Sequence, residues 1–368
     1  MGILERIADI EAEMARTQKN KKTEYHLGRL KAQLAKLKTE LIEAGSGGKG
    51  KGEGFDVAKQ GDARVILIGF PSVGKSTLMH ELTGTETAVA AYEFTTLTCV
   101  PGIMKYNEAK IQLLDLPGII EGAASGRGRG RQVIAVAHSA DLVLMVIDST
   151  KDDSQRRKLE YELEAIGIRL NKKPPQIVVK PKKIGGVTFN STVPLTHLDN
   201  KMVVSILNEY KIYNADVLIK EDCTVDEFID CIEGNRRYVP CLYVHNKIDN
   251  LKLSEIDELA RQPNSVVISS QKRWNLDTLV EQIWVKLGLV RLYTKKKGEF
   301  PDFSDPLIMT PQRGAINVET AVKLIHKDLI NEFKHALVWG TSVKHNPQCV
   351  GLSHKLHDED VIQLVKTR

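Results

Sequence analysis

Eight consecutive residues, Gly69-Phe70-Pro71-Ser72-Val73-Gly74-Lys75-Ser76, place two glycines, a lysine and a hydroxyl at the spacing a phosphate-binding loop requires. The chemistry they suit is capture of a nucleotide's phosphates. Gly69 and Gly74 would let the backbone turn so that successive N–H groups face a phosphate, and a helix beginning behind the loop would add partial positive charge. Lys75 would bridge β- and γ-phosphate oxygens and Ser76 would ligate magnesium, with Thr77 leading into Leu78-Met79-His80-Glu81-Leu82. A chance glycine turn before a surface helix would not bring loop, lysine and hydroxyl into register.

Two further motifs extend the site. Asp115-Leu116-Pro117-Gly118 has the Asp-x-x-Gly spacing: Asp115 would hold magnesium through water and the Gly118 N–H would contact the γ-phosphate. Ahead of it, Phe94-Thr95-Thr96-Leu97 is the candidate first switch, with Thr96, or failing that Thr95, closing a hydroxyl over magnesium and γ-phosphate. Asn246-Lys247-Ile248-Asp249 selects the base, because the Asp249 carboxylate can accept from guanine N1–H and the 2-amino group, donors adenine lacks there. Leaving such an acceptor unpaired costs a factor of about 10⁴ or more in discrimination. Ser269-Ser270-Gln271 follows the next apolar run and would supply backbone contact to the guanine O6.

Elements to position these residues are legible around them. Val65–Gly69, Ile111–Asp115, Leu142–Asp148, Cys241–His245 and Val266–Ser269 are short apolar runs, most ending in a polar motif, as expected of buried parallel strands with function at their C-terminal ends. Leu276–Leu287 reads as a helix capped by Asn275. The interval from Asp115 to Asn246 is roughly twice what a minimal doubly wound domain needs, so a module is inserted. Its strand-like pieces are Ile177–Val179, Val187–Asn190 and Asp216–Ile219, and its helix-like pieces Asn200–Tyr210 and Val225–Glu233. Upstream, Ile3, Ile7, Ile10 and Met14, then Leu27, Leu30, Leu34, Leu37 and Leu41, repeat at helical spacing and predict a helical hairpin. Six glycines between Gly45 and Gly54 mark a linker. After Val290 a β-grasp-like domain is expected, with Ala321–Ala336 as its helix.

Bulk composition bounds the rest. With 368 residues the chain is expected to form several domains, and 27% charged and 42% hydrophobic residues are ordinary globular values. The net charge of +5 is modest, but between Arg16 and Lys38 eight basic residues face Glu24 alone. That local excess suits an acidic partner such as RNA as well as it suits a solvated helix face. Five cysteines, none in a Cys-x-x-Cys pair, indicate neither a disulfide framework nor a zinc site. No apolar signal core or membrane-length run is seen, so a cytoplasmic protein without membrane attachment is expected.

The motifs also carry a resemblance. Phe94-Thr95-Thr96-Leu97, Asp115-Leu116-Pro117-Gly118-Ile119-Ile120-Glu121-Gly122-Ala123 and Gly126-Arg127-Gly128-Arg129-Gly130-Arg131-Gln132 resemble the Obg-like translation-factor GTPases. The chain is more closely similar to the developmentally regulated GTP-binding proteins, through residues 13–21, Gly167-Ile168-Arg169-Leu170-Asn171, Thr192-Val193-Pro194-Leu195-Thr196-His197 and Ser342-Val343-Lys344-His345. The resemblance implies an α/β fold with a P-loop GTPase domain carrying an inserted α+β module like ribosomal protein S5 domain 2, an N-terminal helical hairpin and a C-terminal β-grasp TGS domain. The boundaries are then 1–44 for the hairpin, 45–62 for the linker, 63–172 and 237–289 for the GTPase domain, 173–236 for the insert and 290–368 for the TGS domain. It also implies GTP hydrolysis with magnesium, ribosome or RNA association, and a dedicated zinc-finger regulatory partner.

Two departures bear on catalysis, for which Lys75, Thr96 and Gly118 are the candidate residues. Where Ras-type enzymes orient water with glutamine, this chain has Ile119, so slow intrinsic turnover is expected. Relatives that use potassium (K+) hold it partly through a loop asparagine, and the matching Ser72 is a shorter ligand. Arg127, Arg129 and Arg131 fit a loop that contacts rRNA or a partner better than a cation delivered in cis. A scaffold in which nucleotide is structural is the alternative to a GTP-hydrolysing switch.

Overall fold

A computed structural model describes residues 2–18, 20, 23–44, 61–83, 100–115 and 139–366. In chain order the elements are α1 (Ile3–Arg16), α2 (Glu24–Ala44), β1 (Ala63–Ile68), α3 (Lys75–Thr83), β2 (Val100–Tyr106), β3 (Ala109–Asp115), β4 (Leu142–Asp148), α4 (Ser154–Ala165) and β5 (Ile168–Leu170). Next come β6 (Ile177–Pro181), β7 (Val187–Ser191), α5 (Asn200–Glu209), β8 (Ala215–Ile219), α6 (Val225–Glu233), β9 (Arg237–Val239) and β10 (Cys241–Asn246). The chain continues with α7 (Leu253–Ala260), β11 (Ser265–Val267), α8 (Leu276–Leu287), β12 (Val290–Thr294), β13 (Asp302–Met309), α9 (Val318–Ile325), β14 (Phe333–Trp339), β15 (Gln348–Val350) and β16 (Asp360–Lys366). Contacts group the described residues into two units, one from 1–56 and 157–239, the other from 57–118, 139–156 and 240–368.

In the second unit, β1, β4 and β10 are buried at every position, which is why they read as continuous apolar runs. The sheet order is β11-β10-β4-β1-β3-β2, parallel throughout except for the β2–β3 pair. Val65, Leu67, Leu113, Leu144 and Val244 pack with Leu279 and Ile283 of α8 into its core. Parallel pairing brings Gly69, Asp115, Asp148 and Asn246 to the same end of the sheet, where ligands bind in such folds. β2 escapes sequence reading because Pro101 and Gly102 interrupt it, and both are tolerated because it is an edge strand. Gly102 also lets α3 approach: an added Cβ would meet Thr83 Cγ2 at 2.5 Å. α8 spans Leu276–Leu287 as its periodicity predicts, but Asn275 does not cap it through its side chain. At φ 60° that residue turns its amide to donate to the Val267 carbonyl at 2.8 Å.

The same unit contains the C-terminal sheet, ordered β13-β12-β16-β14-β15, with β12 and β16 parallel and the other pairs antiparallel. The helix expected over Ala321–Ala336 is corrected: α9 ends at Ile325, a 3-10 turn covers Lys327–Ile330, and Phe333–Trp339 is a strand. From Phe333 the apolar period drops to two, with Ala336 and Val338 buried on one face. Leu289 and Ile308 continue the core of the first sheet into this domain. Trp284 of α8 meets Tyr106 edge-on at 5.8 Å and lies beneath the Arg291 guanidinium at 5.5 Å.

In the first unit, α1 and α2 form the expected hairpin, and α2 also packs on α5 and α6 of the insert. Gly28 permits that approach, since an added Cβ would sit 3.3 Å from Met202 Cγ. Ala32 joins Val203, Ile206, Leu207, Val217, Ile219 and Phe228 in the insert's core. Behind it the strands run β6-β8-β7. β5 pairs with β9, and Asp230 takes two bonds from Arg169, at 2.6 and 2.8 Å, and one from Arg236 at 3.0 Å. These links draw residues flanking 173–236 into this body, which runs from Arg157 to Val239. Four of the basic residues counted between Arg16 and Lys38 are engaged here. Lys31 pairs with Asp226 at 2.6 Å, Arg29 with Glu209 at 3.6 Å and Lys38 with Glu11 at 3.1 Å, while Lys36 donates to the Glu209 carbonyl at 3.3 Å.

Candidate functional site

The loop after β1 owes its shape to close packing against its neighbours. An added Cβ at Gly69 would meet the Val146 carbonyl oxygen at 2.5 Å, and one at Gly74, where φ is +93°, would meet Asn246 Nδ2 at 2.5 Å. Ser72 also lies at positive φ, 65°. Pro71, Ser72, Ser76 and Thr77 are exposed, Phe70 half-buried and Val73 buried. Lys75, at the start of α3 and buried, turns its ammonium back to donate to the Gly69 and Phe70 carbonyls at 2.9 and 3.0 Å. Burial pushes its pKa down and the Asp115 carboxylate partly offsets that.

Ser76 Oγ donates to Asp115 Oδ2 at 3.1 Å, and Asp115 Oδ1 is buried with no hydrogen-bond partner among the described residues. A hard divalent cation takes oxygen ligands of this kind, and an orphaned buried carboxylate oxygen beside a hydroxyl fits one. Among the described residues no cluster of three or more His, Cys, Asp or Glu side chains is placed to hold a metal ion. Thr95, Thr96, Gly118, Ile119 and the Arg127–Arg131 run lie outside the described residues.

Asn246 joins the loop after β1 to the loop that follows β11. Its Nδ2 donates to the Val73 carbonyl at 2.8 Å, and its Oδ1 accepts from Lys247 N at 2.9 Å and from Ser270 N and Oγ, each at 3.0 Å. Every polar atom of the buried side chain is thus spent on protein. Asp249 is half-buried and accepts from Ser269 Oγ at 2.6 Å, which aims one carboxylate oxygen and leaves the other. Ser269 and Ser270 are buried and act through their side chains as well as their backbone, whereas Gln271 is exposed. Arg273 reaches Glu81 of α3 at 2.5 Å, a second brace between these loops and the phosphate-loop helix.

The structure adds Asp148, which sequence reasoning left without a role. It ends β4 opposite Asn246 and pairs with Lys247 Nζ at 2.7 Å. The available signal was a buried apolar run ending in a carboxylate.

Comparison with known proteins agrees with this geometry. Residues 64–181 match a sequence family described as "50S ribosome-binding GTPase", residues 184–289 the C-terminal region of that GTPase domain, and residues 290–366 the TGS domain. "Developmentally-regulated G-protein 1" of Arabidopsis thaliana is 60% identical over all of this chain and 92% of its own length. "Developmentally-regulated GTP-binding protein 2" of Homo sapiens is 61% identical, with 100% of both chains covered. A solved FeoB G domain from T. maritima is matched over 61% of this chain and 98% of its own at 20% identity and a TM-score of 0.34, too low to argue from. Full-length identity near 60%, together with the matched GTPase and TGS domains, places the chain in the developmentally regulated GTP-binding protein family, as a P-loop GTPase with a C-terminal TGS domain.

Proposed function

We propose that this GTPase is a slow molecular switch whose bound nucleotide controls attachment to ribosomes or RNA in the cytoplasm. The observation that carries the nucleotide half is Asn246, which holds the phosphate loop and the base-reading loop in one rigid arrangement. In this reading Gly69 to Thr77 wrap the phosphates, and Lys75 exchanges its carbonyl partners for β- and γ-phosphate oxygens at little cost. Asp249 reads the guanine edge, with Asn246, Lys247, Ser269, Ser270 and Gln271 forming the walls. Ser76 and Asp115, with Thr96, would hold magnesium, which supplies charge neutralisation at the phosphates. Gly118 would sense the γ-phosphate, and Ile119, having no hydrogen-bonding group, leaves water unoriented until a partner supplies one.

The ribosomal half is supported by the description of the matched GTPase family, and the zinc-finger regulatory partner that the resemblance implies belongs to the same proposal. Potassium stimulation belongs to the same proposal, with Ser72 as a weak ligand. Sucrose-gradient sedimentation with ribosomes, in GDP and in a non-hydrolysable GTP analogue, tests the switch. Nucleotide-dependent co-sedimentation supports it, and identical profiles would leave the scaffold reading. Single-turnover hydrolysis with and without ribosomes measures the expected activation.

A further inference from the structure

Three consecutive residues at the end of β4 grip the loop that ends β10. The strands are in register there, with Asp148 beside Asn246. Asp148 is 4% exposed, and its two carboxylate oxygens have separate tasks. Oδ2 accepts from Lys247 Nζ at 2.7 Å, while Oδ1 accepts from Thr150 N at 3.1 Å and Thr150 Oγ1 at 2.7 Å. Ser149 donates to the Asn246 carbonyl from its backbone N–H at 3.0 Å and from its hydroxyl. The residue being gripped needs it: Lys247 sits in the left-handed region at φ 68°, ψ 33°, a conformation that is strained for a residue with a side chain.

We infer that Asp148, with Ser149 and Thr150, is a clamp that holds Lys247 in its strained backbone conformation and thereby aims Asp249, two residues further on, at the base. Asp148 is a positioning residue that need not touch the nucleotide. Its geometry follows from the fold: parallel strands end side by side, so the last residue of one can brace the loop leaving the next. Bonding from Lys247 and Thr150 outweighs the effect of burial, which alone would raise the pKa, and keeps the carboxyl below its usual range. The Asp148 carboxylate is therefore charged at neutral pH, and a charge-assisted bond at a buried carboxylate is the strong kind.

The inference rests on the reading of Asp249 as the base reader, and the experiment separates the two. GTP and inosine triphosphate, which lacks the 2-amino group, are compared by binding and stopped-flow dissociation. Asp148→Asn is expected to release GDP about 10-fold faster, to raise KM more than it lowers kcat, and to narrow the GTP-to-inosine preference. Lys247→Met is expected to do the same, with the double variant no worse than either single. Thr150→Val changes an exposed position and removes one support from the same carboxylate, so it shifts dissociation in the same direction by a smaller factor and decides the matter if Asp148→Asn fails to fold. Wild-type release and preference in the folded clamp variants, alongside an Asp249→Ala change that abolishes the preference, would overturn the clamp alone. An Asp249→Ala protein that keeps the preference would overturn both readings.

Discussion

The nucleotide-site loops and the hairpin-plus-insert body use the same charged residue types for different ends. At the site Lys75, Asp115, Asp148 and Asn246 are buried at strand or helix ends and bonded to groups brought near by the sheet. In the other unit Arg29, Lys31 and Lys38 are partly exposed and pair with carboxylates on neighbouring helices. Lys75, Asp115 and Asn246 announce themselves by local spacing, because phosphate and base recognition require fixed offsets within one loop, whereas Asp148, outside any such motif, does not. Surface pairs do not, since a lysine's partner can lie 195 residues away, as Asp226 does from Lys31. A run of positive charge thus records a packing interface here as readily as a nucleic-acid footprint.

The comparison is broken most severely at Lys75. Lys75→Ala removes the one buried ammonium from the phosphate loop, and loss of such a transition-state charge costs on the order of 10³-fold or more in turnover. Ser76→Asn is expected to do comparable damage through magnesium. Phosphate release assays on both variants check this, and turnover near wild type in either would remove the proposed site. Asp249→Asn comes next. The new amide meets the guanine 2-amino group donor to donor, so GTP affinity falls by about 10³–10⁴-fold, while xanthosine triphosphate, with a carbonyl there, becomes the preferred ligand. Competition of labelled GTP by each nucleotide reads the switch directly.

Legibility in the sequence divides along the same line. β4, α6 and α8 have the boundaries expected from Leu142–Asp148, Val225–Glu233 and Leu276–Leu287, because their apolar residues form an unbroken run or a helical stripe over those lengths. Pro101 and Gly102 hide β2 from a sequence reading, and β14 reads as helix because Phe333, Ala336 and Leu337 also satisfy a helical spacing. Among candidate site residues, spacing points to Lys75, Asp115, Asn246 and Asp249, which the fold brings to one end of the sheet, but not to the bond that Asn246 makes with the loop after β1. That bond joins residues 173 apart and exists only once the sheet has formed.

Two buried groups sharpen the contrast at the level of a few kcal/mol. Asp230 is 5% exposed among Arg169 and Arg236, so Asp230→Ala takes the carboxylate from two guanidiniums and is expected to cost about 3–5 kcal/mol in denaturant unfolding. His245 of β10 is buried, and its Nε2 has no hydrogen-bond partner among the described residues. Burial, aided by Arg156 and opposed by Asp153, holds its pKa at about 4. Its folded value lies below the unfolded one of about 6.5, so the unfolded chain takes up the proton first as pH falls. The associated stability, about 3 kcal/mol, is fully present above pH ~6.5 and is lost progressively down to pH ~4. Chemical unfolding of wild type and His245→Phe across that window checks the sign: the variant's stability is expected to fall less steeply, and parallel slopes would assign the acid sensitivity elsewhere.

The smallest expected effect decides what the hairpin charges are for. Lys31 and Asp226 are 36% and 59% exposed, so their pair is screened by solvent, and Lys31→Gln is expected to destabilise by about 0.2–1 kcal/mol. Asp226→Asn should cost a similar amount, and the double variant should cost less than the two singles together, because the pair is lost only once. A phosphate-binding lysine behaves differently. Each such contact to single-stranded nucleic acid contributes about 0.7 to the slope of log affinity against log salt, whatever its effect on folding. Titrating RNA with wild type and Lys31→Gln over a range of salt therefore separates the two uses: an unchanged slope assigns Lys31 to holding α2 on the insert, and a slope reduced by about 0.7 returns it to the nucleic-acid surface.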